Sequence, residues 1–85
     1  MILYVLVVRD RAADAFGRPF FAPSVGLAER DFRSEVNRPA DDNNMYKYPD
    51  DYDLFLLGTY DDSTGQFSTG MPKQVMLGKD AVNKK

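Results

Sequence analysis

The stretch YDLFLLGTYDDSTGQF, residues 52–67, decides how the chain folds. Its first half is dominated by aromatic and aliphatic side chains, the composition of a strand. Asp61 to Gly65 then read as a turn, with Gly65 available for a positive φ. Gln66 to Gly70 read as a short return strand. The aspartates fall at the ends of this hairpin: Asp50, Asp51 and Asp53 where the strand begins, Asp61 and Asp62 at its turn.

Upstream, ILYVLVV at 2–8 is a second apolar strand. RDRAADAFGRP reads as a loop, and Phe20-Phe21-Ala22 as a short extended segment before Pro23. Ser24 then offers a hydroxyl N-cap to a helix whose Val25, Ala28, Phe32 and Val36 form one apolar stripe. Glu29 and Arg33 stand four apart in the favourable order, and Asn37 and Pro39 end the helix. Residues 38–51 read as a polar crossover loop with one helical turn at Pro49–Tyr52. Gln74–Leu77 adds an edge segment.

These elements predict a small α+β fold: a mixed β-sheet of 3–5 strands with one α-helix packed on one face. A helix between the two main strands implies a crossover, with those strands parallel or one apart. The expected organisation is one domain over 1–78 and a frayed basic tail over 79–85. Leu3-Tyr4-Val5-Leu6 and Leu54-Phe55-Leu56-Leu57 are apolar on both faces, and one helix covers only one. The second face needs a cover: the tail, a ligand or a second copy. A homodimer through that apolar sheet face is the favoured answer, since exposed apolar sheet of this size is rare in monomers.

Eighty-five residues suffice for one modest core. With no cysteine and no histidine, disulfides, thiolate metal sites and histidine-based catalysis are excluded. MILYVLVV is too short for a membrane span and lacks the basic lead of a signal peptide, so a cytosolic protein without membrane attachment is expected. The net charge of −2 hides a gradient: residues 1–40 carry +1, residues 41–62 carry −6 and residues 63–85 carry +3.

Paired aspartates can hold a divalent cation, but the spacing does not fit a calcium loop. Counting from Asp61, the twelfth residue is Pro72; counting from Asp51, the fifth is Phe55. No metal, cofactor or catalytic residue is therefore assigned. The serines lack a histidine to activate them. Arg30 and Arg33 lie on one side of the helix, while Arg9, Arg11 and Arg18 are interleaved with Phe16, Phe20 and Phe21. Guanidinium groups beside aromatic faces suit single-stranded nucleic acid, through phosphate contacts and base stacking. The plainer reading makes the phenylalanines core and pairs the arginines with the five acids nearby, and on residues alone it is preferred.

The chain also carries a run of family-like positions. They are Asp10 and Ala13, Pro19-Phe20-Phe21, then Ala28, Arg30, Phe32, Val36 and Asn37. They continue with Pro49, Asp51-Tyr52, Leu54-Phe55, Gly58, Tyr60 and Asp61-Asp62. In this order they resemble the small nonstructural protein of gokushoviruses, microvirus phages with circular single-stranded DNA. The resemblance spans about Arg9 to Phe67, and the tail matches loosely. It implies a nonenzymatic protein of the host cytoplasm, absent from the virion. It further implies binding of single-stranded DNA during genome replication, or at the switch to single-strand synthesis and packaging. Of the matched positions, Arg30 is the obvious phosphate contact. The alternative is a protein–protein adaptor that regulates the replication machinery or a host factor through the acidic segment or the uncovered sheet face.

Overall fold

The computed structural model describes residues 1–83. Strand β1 (Ile2–Asp10) runs through the middle of one sheet. On one side it pairs with β2 (Ala15–Phe16) and β3 (Phe20–Ala22). On the other it pairs with β4 (Tyr52–Asp61), which pairs in turn with β5 (Gln66–Leu77). The fold is the small α+β type that the sequence implies, with one correction. Every strand pair is antiparallel, so the sheet is not mixed, and the two main strands β1 and β4 are direct antiparallel neighbours. The crossover starts instead from three-residue β3. β3 and β4 both oppose β1, which makes them parallel to each other with β1 between them.

Helix α1 (Val25–Val36) begins where the Ser24 side chain accepts from the Leu27 N–H at 3.1 Å. Its Ala28, Phe32 and Val36 are buried, as the apolar stripe requires. They meet Leu6, Ala22 and Leu54 of the sheet, with Tyr4, Val8, Leu56 and Met76 packed around them. Full burial of one such aliphatic or aromatic side chain is worth about 1.5–3 kcal/mol, so this layer holds the helix in place.

The connection to β4 is more ordered than a plain loop. Asn43 caps a short helix α2 (Asn44–Lys47), accepting from Met45 N–H. Its amide nitrogen donates to the carbonyls of Glu35 and Arg38 at 2.8 and 2.9 Å. A buried amide with all these bonds made pins the loop to the end of α1. A 3-10 turn at Pro49–Asp51 follows, where the sequence implied one helical turn.

The C-terminal segment is not frayed as far as residue 83. Helix α3 (Gly78–Ala81) places Ala81, fully buried, in the same core as Leu6 and Phe32. Asn37 clasps it, donating to Ala81 O at 2.8 Å and accepting from Asn83 N–H at 2.8 Å. The tail thus covers the helix-side core, not the second sheet face. Lys84 and Lys85, the end of the expected basic tail, lie outside the described residues.

Three register shifts curl the sheet. Leu57 is an extra residue in β4 opposite the Val5–Leu6 step, and the β4–β5 register shifts between Leu54 and Phe55 and again between Leu56 and Gly58. β5 is one long strand where the sequence implied two short segments. These shifts, with Pro72 and Lys73, blunt its free edge against pairing with another chain. No helix among the described residues is long and apolar enough to cross a membrane.

Candidate nucleic-acid interface

Strand alternation sorts β1 into two sets. Tyr4, Leu6 and Val8 face α1, so Leu3, Val5, Val7 and Arg9 face away from it. Directly opposed residues of an antiparallel pair share a face. The register therefore puts Tyr60 beside Leu3, Phe21 beside Val5, Phe55 beside Val7 and Phe16 beside Arg9. Phe67 joins them as the partner of Tyr60. All five rings come to the face opposite the helix.

They form two platforms. Tyr60 and Phe67 lie 4.7 Å apart between centroids, and Phe21 lies 5.6 Å from Tyr60. Phe16 meets Phe55 edge to face at 5.4 Å. The platforms are offset by the four residues from Leu3 to Val7 of β1, about 13 Å at 3.3 Å per residue. Beneath them Val5 and Val7 are only 5% and 1% exposed. Three of the five rings remain open, Phe16 at 47% exposure, Phe21 at 53% and Phe67 at 59%, while Phe55 and Tyr60 are partly buried. The second face thus has an aromatic cover of its own, with three of its five rings exposed to solvent.

Arg9 borders the smaller platform. Its guanidinium carbon is 5.8 Å from the Phe16 centroid, and its Nη2 donates to Asp14 at 2.6 Å. Arg18 is exposed on the turn between β2 and β3 and makes no ion pair among the described residues. Arg11 is engaged otherwise: its Nε donates at 2.9 Å to the buried Asp53 carboxylate. Arg30 and Arg33 sit on α1, over the other face. Arg33 reaches only the Met76 sulfur, at 3.9 Å, and Arg30 approaches Asp31 at 4.0 Å. The five arginines singled out in the sequence are therefore split between two layers, and only Arg9 is shown against the aromatic platforms.

Asp10, Asp61 and Asp62 have structural roles. Asp10 accepts from Ala13 N–H at 3.1 Å, which shapes the turn after β1. Asp61 accepts from Ser63 N–H at 2.9 Å in the hairpin turn, and Asp62 meets the Met1 amino group at 2.8 Å. That contact raises the amine's pKa, mainly through the Asp62 hydrogen bond. Among the described residues no three carboxylates converge to hold a metal ion.

A family model described as Phage ORF5 protein matches residues 3–82. The chain belongs to that phage family. No curated protein and no solved structure matches it. For this phage protein the match covers both platforms, Arg9 and the clasped tail through Ala81.

In the sequence Phe16, Phe20 and Phe21 stand out as stacking candidates beside the arginines, whereas Phe55 and Tyr60 read only as strand and family-like positions and Phe67 only as part of the return strand. The signal was present in the hairpin. Asp61 opposes Gln66 across the turn, so the next pair outward is Tyr60 and Phe67. Phe20 belongs instead with the helix-side residues, as the partner of Leu6.

Proposed function

We propose that this phage protein binds single-stranded DNA without enzymatic activity, on the aromatic face of its sheet. The observation that carries the reading is the pair of exposed ring platforms bordered by Arg9. A planar ring exposed on a rigid strand offers stacking to an unpaired base, at about 1–3 kcal/mol per base, while duplex bases are already stacked. The acidic balance of the chain supplies no general attraction to DNA, so stacking is the larger share of affinity. The resemblance to gokushovirus nonstructural proteins gives the biological setting: a microvirus genome in the host cytoplasm, replicated or passed to single-strand synthesis and packaging. The same face would be the meeting surface of a homodimer, so oligomeric state is measured alongside binding.

The test is fluorescence anisotropy with labelled single-stranded and duplex DNA over a salt series. The expected result is micromolar or tighter binding that prefers single strands. Phe21→Ala and Phe67→Ala each weaken it by about five- to a hundredfold, the value of one lost stack. Absence of binding at low salt, with a protein captured through the acidic surface near the exposed Tyr46 and Tyr48, would replace this reading by the adaptor one.

A further inference from the structure

Arg9 and Asp14 form a short pair beside the stacking floor, and its geometry is unusual in two respects. Asp14 is the one non-glycine residue with positive φ among the described residues, at 52°. Its side chain is 83% exposed, against 34% for Arg9. The carboxylate thus stands in solvent against a guanidinium whose central carbon lies over the Phe16 ring. The turn holds it there: Asp10 accepts from Ala13 N–H, and Asp14 N–H donates to Arg11 O at 3.2 Å. A carboxylate oxygen 2.6 Å from Nη2 occupies the position that a phosphate oxygen takes on arginine.

We propose that Arg9 is a phosphate subsite for single-stranded DNA and that Asp14 is its resident phosphate mimic. The proposal rests on the single-strand reading above and names the contact that orients the strand. A base stacks on Phe16, the adjoining phosphodiester takes Arg9, and Asp14 turns out into water. Binding at this subsite therefore replaces one ion pair by another. Asp14 lowers affinity without removing the phosphate contact, so the platform holds the strand loosely enough to release it.

Asp14→Asn tests this cleanly, because asparagine tolerates the left-handed backbone that Asp14 adopts. Parent, Asp14→Asn, Arg9→Ala and the double variant are titrated against labelled oligothymidine at several salt concentrations. Circular dichroism checks each fold. Asp14→Asn is expected to tighten binding about two- to fivefold, the range of an exposed ion pair expressed as affinity. Arg9→Ala lowers the slope of log K against log salt by about 0.7, one phosphate fewer on a single strand, whereas Asp14→Asn keeps the parent's slope because its phosphate contact is the same. In the Arg9→Ala background the same change does nothing. An unchanged or weaker Asp14→Asn, or an equal gain without Arg9, overturns the subsite while leaving single-strand binding standing. If none of the four proteins binds, the single-strand reading falls and the subsite with it.

Discussion

The Arg11 guanidinium donates to Asp53 at 2.9 Å, from a side chain close to half exposed to one almost fully buried. Asp53 also accepts from Gly78 N–H at 3.4 Å, so one carboxylate joins the end of β1, the start of β4 and the start of α3. Arg11→Ala leaves that charge buried with one long backbone bond. The loss is about 2–3 kcal/mol, below the full value for a buried pair because Arg11 is partly solvated. Replacing Asp53 by Asn in the Arg11→Ala background removes the unpaired charge and recovers part of the loss. Urea denaturation of the single and double variants measures both steps. An Arg11→Ala protein of parental stability would show that the pair holds nothing.

Gly58 sits where β4 bends, at φ 155°. A Cβ there would stand 2.1 Å from Ser68 O and 2.8 Å from Thr69 Cα, both backbone atoms of β5. The hairpin must open to admit it. Gly58→Ala is expected to cost ~2 kcal/mol or more, from strain and overpacking together. Gly26 is the control: a Cβ added there meets nothing within 4 Å. Gly26→Ala is neutral or stabilising by a few tenths of a kcal/mol, from helix propensity near an end. Equal denaturation midpoints for the two variants would contradict this account.

Much of this architecture is legible in the chain because it is local. Ser24 and the 25–28–32–36 stripe specify α1, and the Asp61–Gly65 turn specifies the hairpin. What escaped depends on distant partners. Phe20–Ala22 is too short to declare itself a strand, and without it the crossover joins the wrong pair. Asn37 reads as a helix end, yet its side chain also holds residues 81 and 83, more than forty positions away. The aromatic face needed strand register, which places Phe16, Phe21 and Phe55 on one side from three separate strands. Arg9 is visible as a cation in the sequence, but its engagement by Asp14 is set by a turn conformation that residue types alone do not fix.

Tyr52 reports on the junction between the 3-10 turn and β4. Burial raises the pKa of its hydroxyl above the ordinary 10.0, and the negative charges of Asp10 and Asp51 add to the effect. The sign follows from which state binds the proton longer. Below pH 10 both folded and unfolded Tyr52 are neutral and the group costs nothing. As pH rises from the ordinary value toward the folded one, the unfolded phenol ionises first, and stability falls. Absorbance at 295 nm should therefore show a late alkaline step that Tyr52→Phe deletes. The variant should also lose less stability than the parent above pH 10. A late step that survives Tyr52→Phe would assign it to another residue.

Arg30 and Arg33 provide the sharpest check on the proposed single-strand contact. Both project from α1, and Arg33 touches Met76, a residue packed with the helix-side core. The ring platforms lie on the other side of the sheet. A short single strand held by stacking at Tyr60–Phe67 and Phe16–Phe55 has no path to the helix without passing a sheet edge. The double variant Arg30→Ala, Arg33→Ala is thus expected to keep its affinity for a short oligonucleotide within about twofold, with the salt slope unchanged, since each lost phosphate contact would lower the slope by about 0.7. Lengthening the oligonucleotide tests whether a longer strand wraps. If the double variant loses affinity and slope only with the longer strand, the two layers act in series, with stacking on the sheet and phosphate capture on the helix. If it loses both with the short strand, the helix is the primary contact and the aromatic face serves another partner.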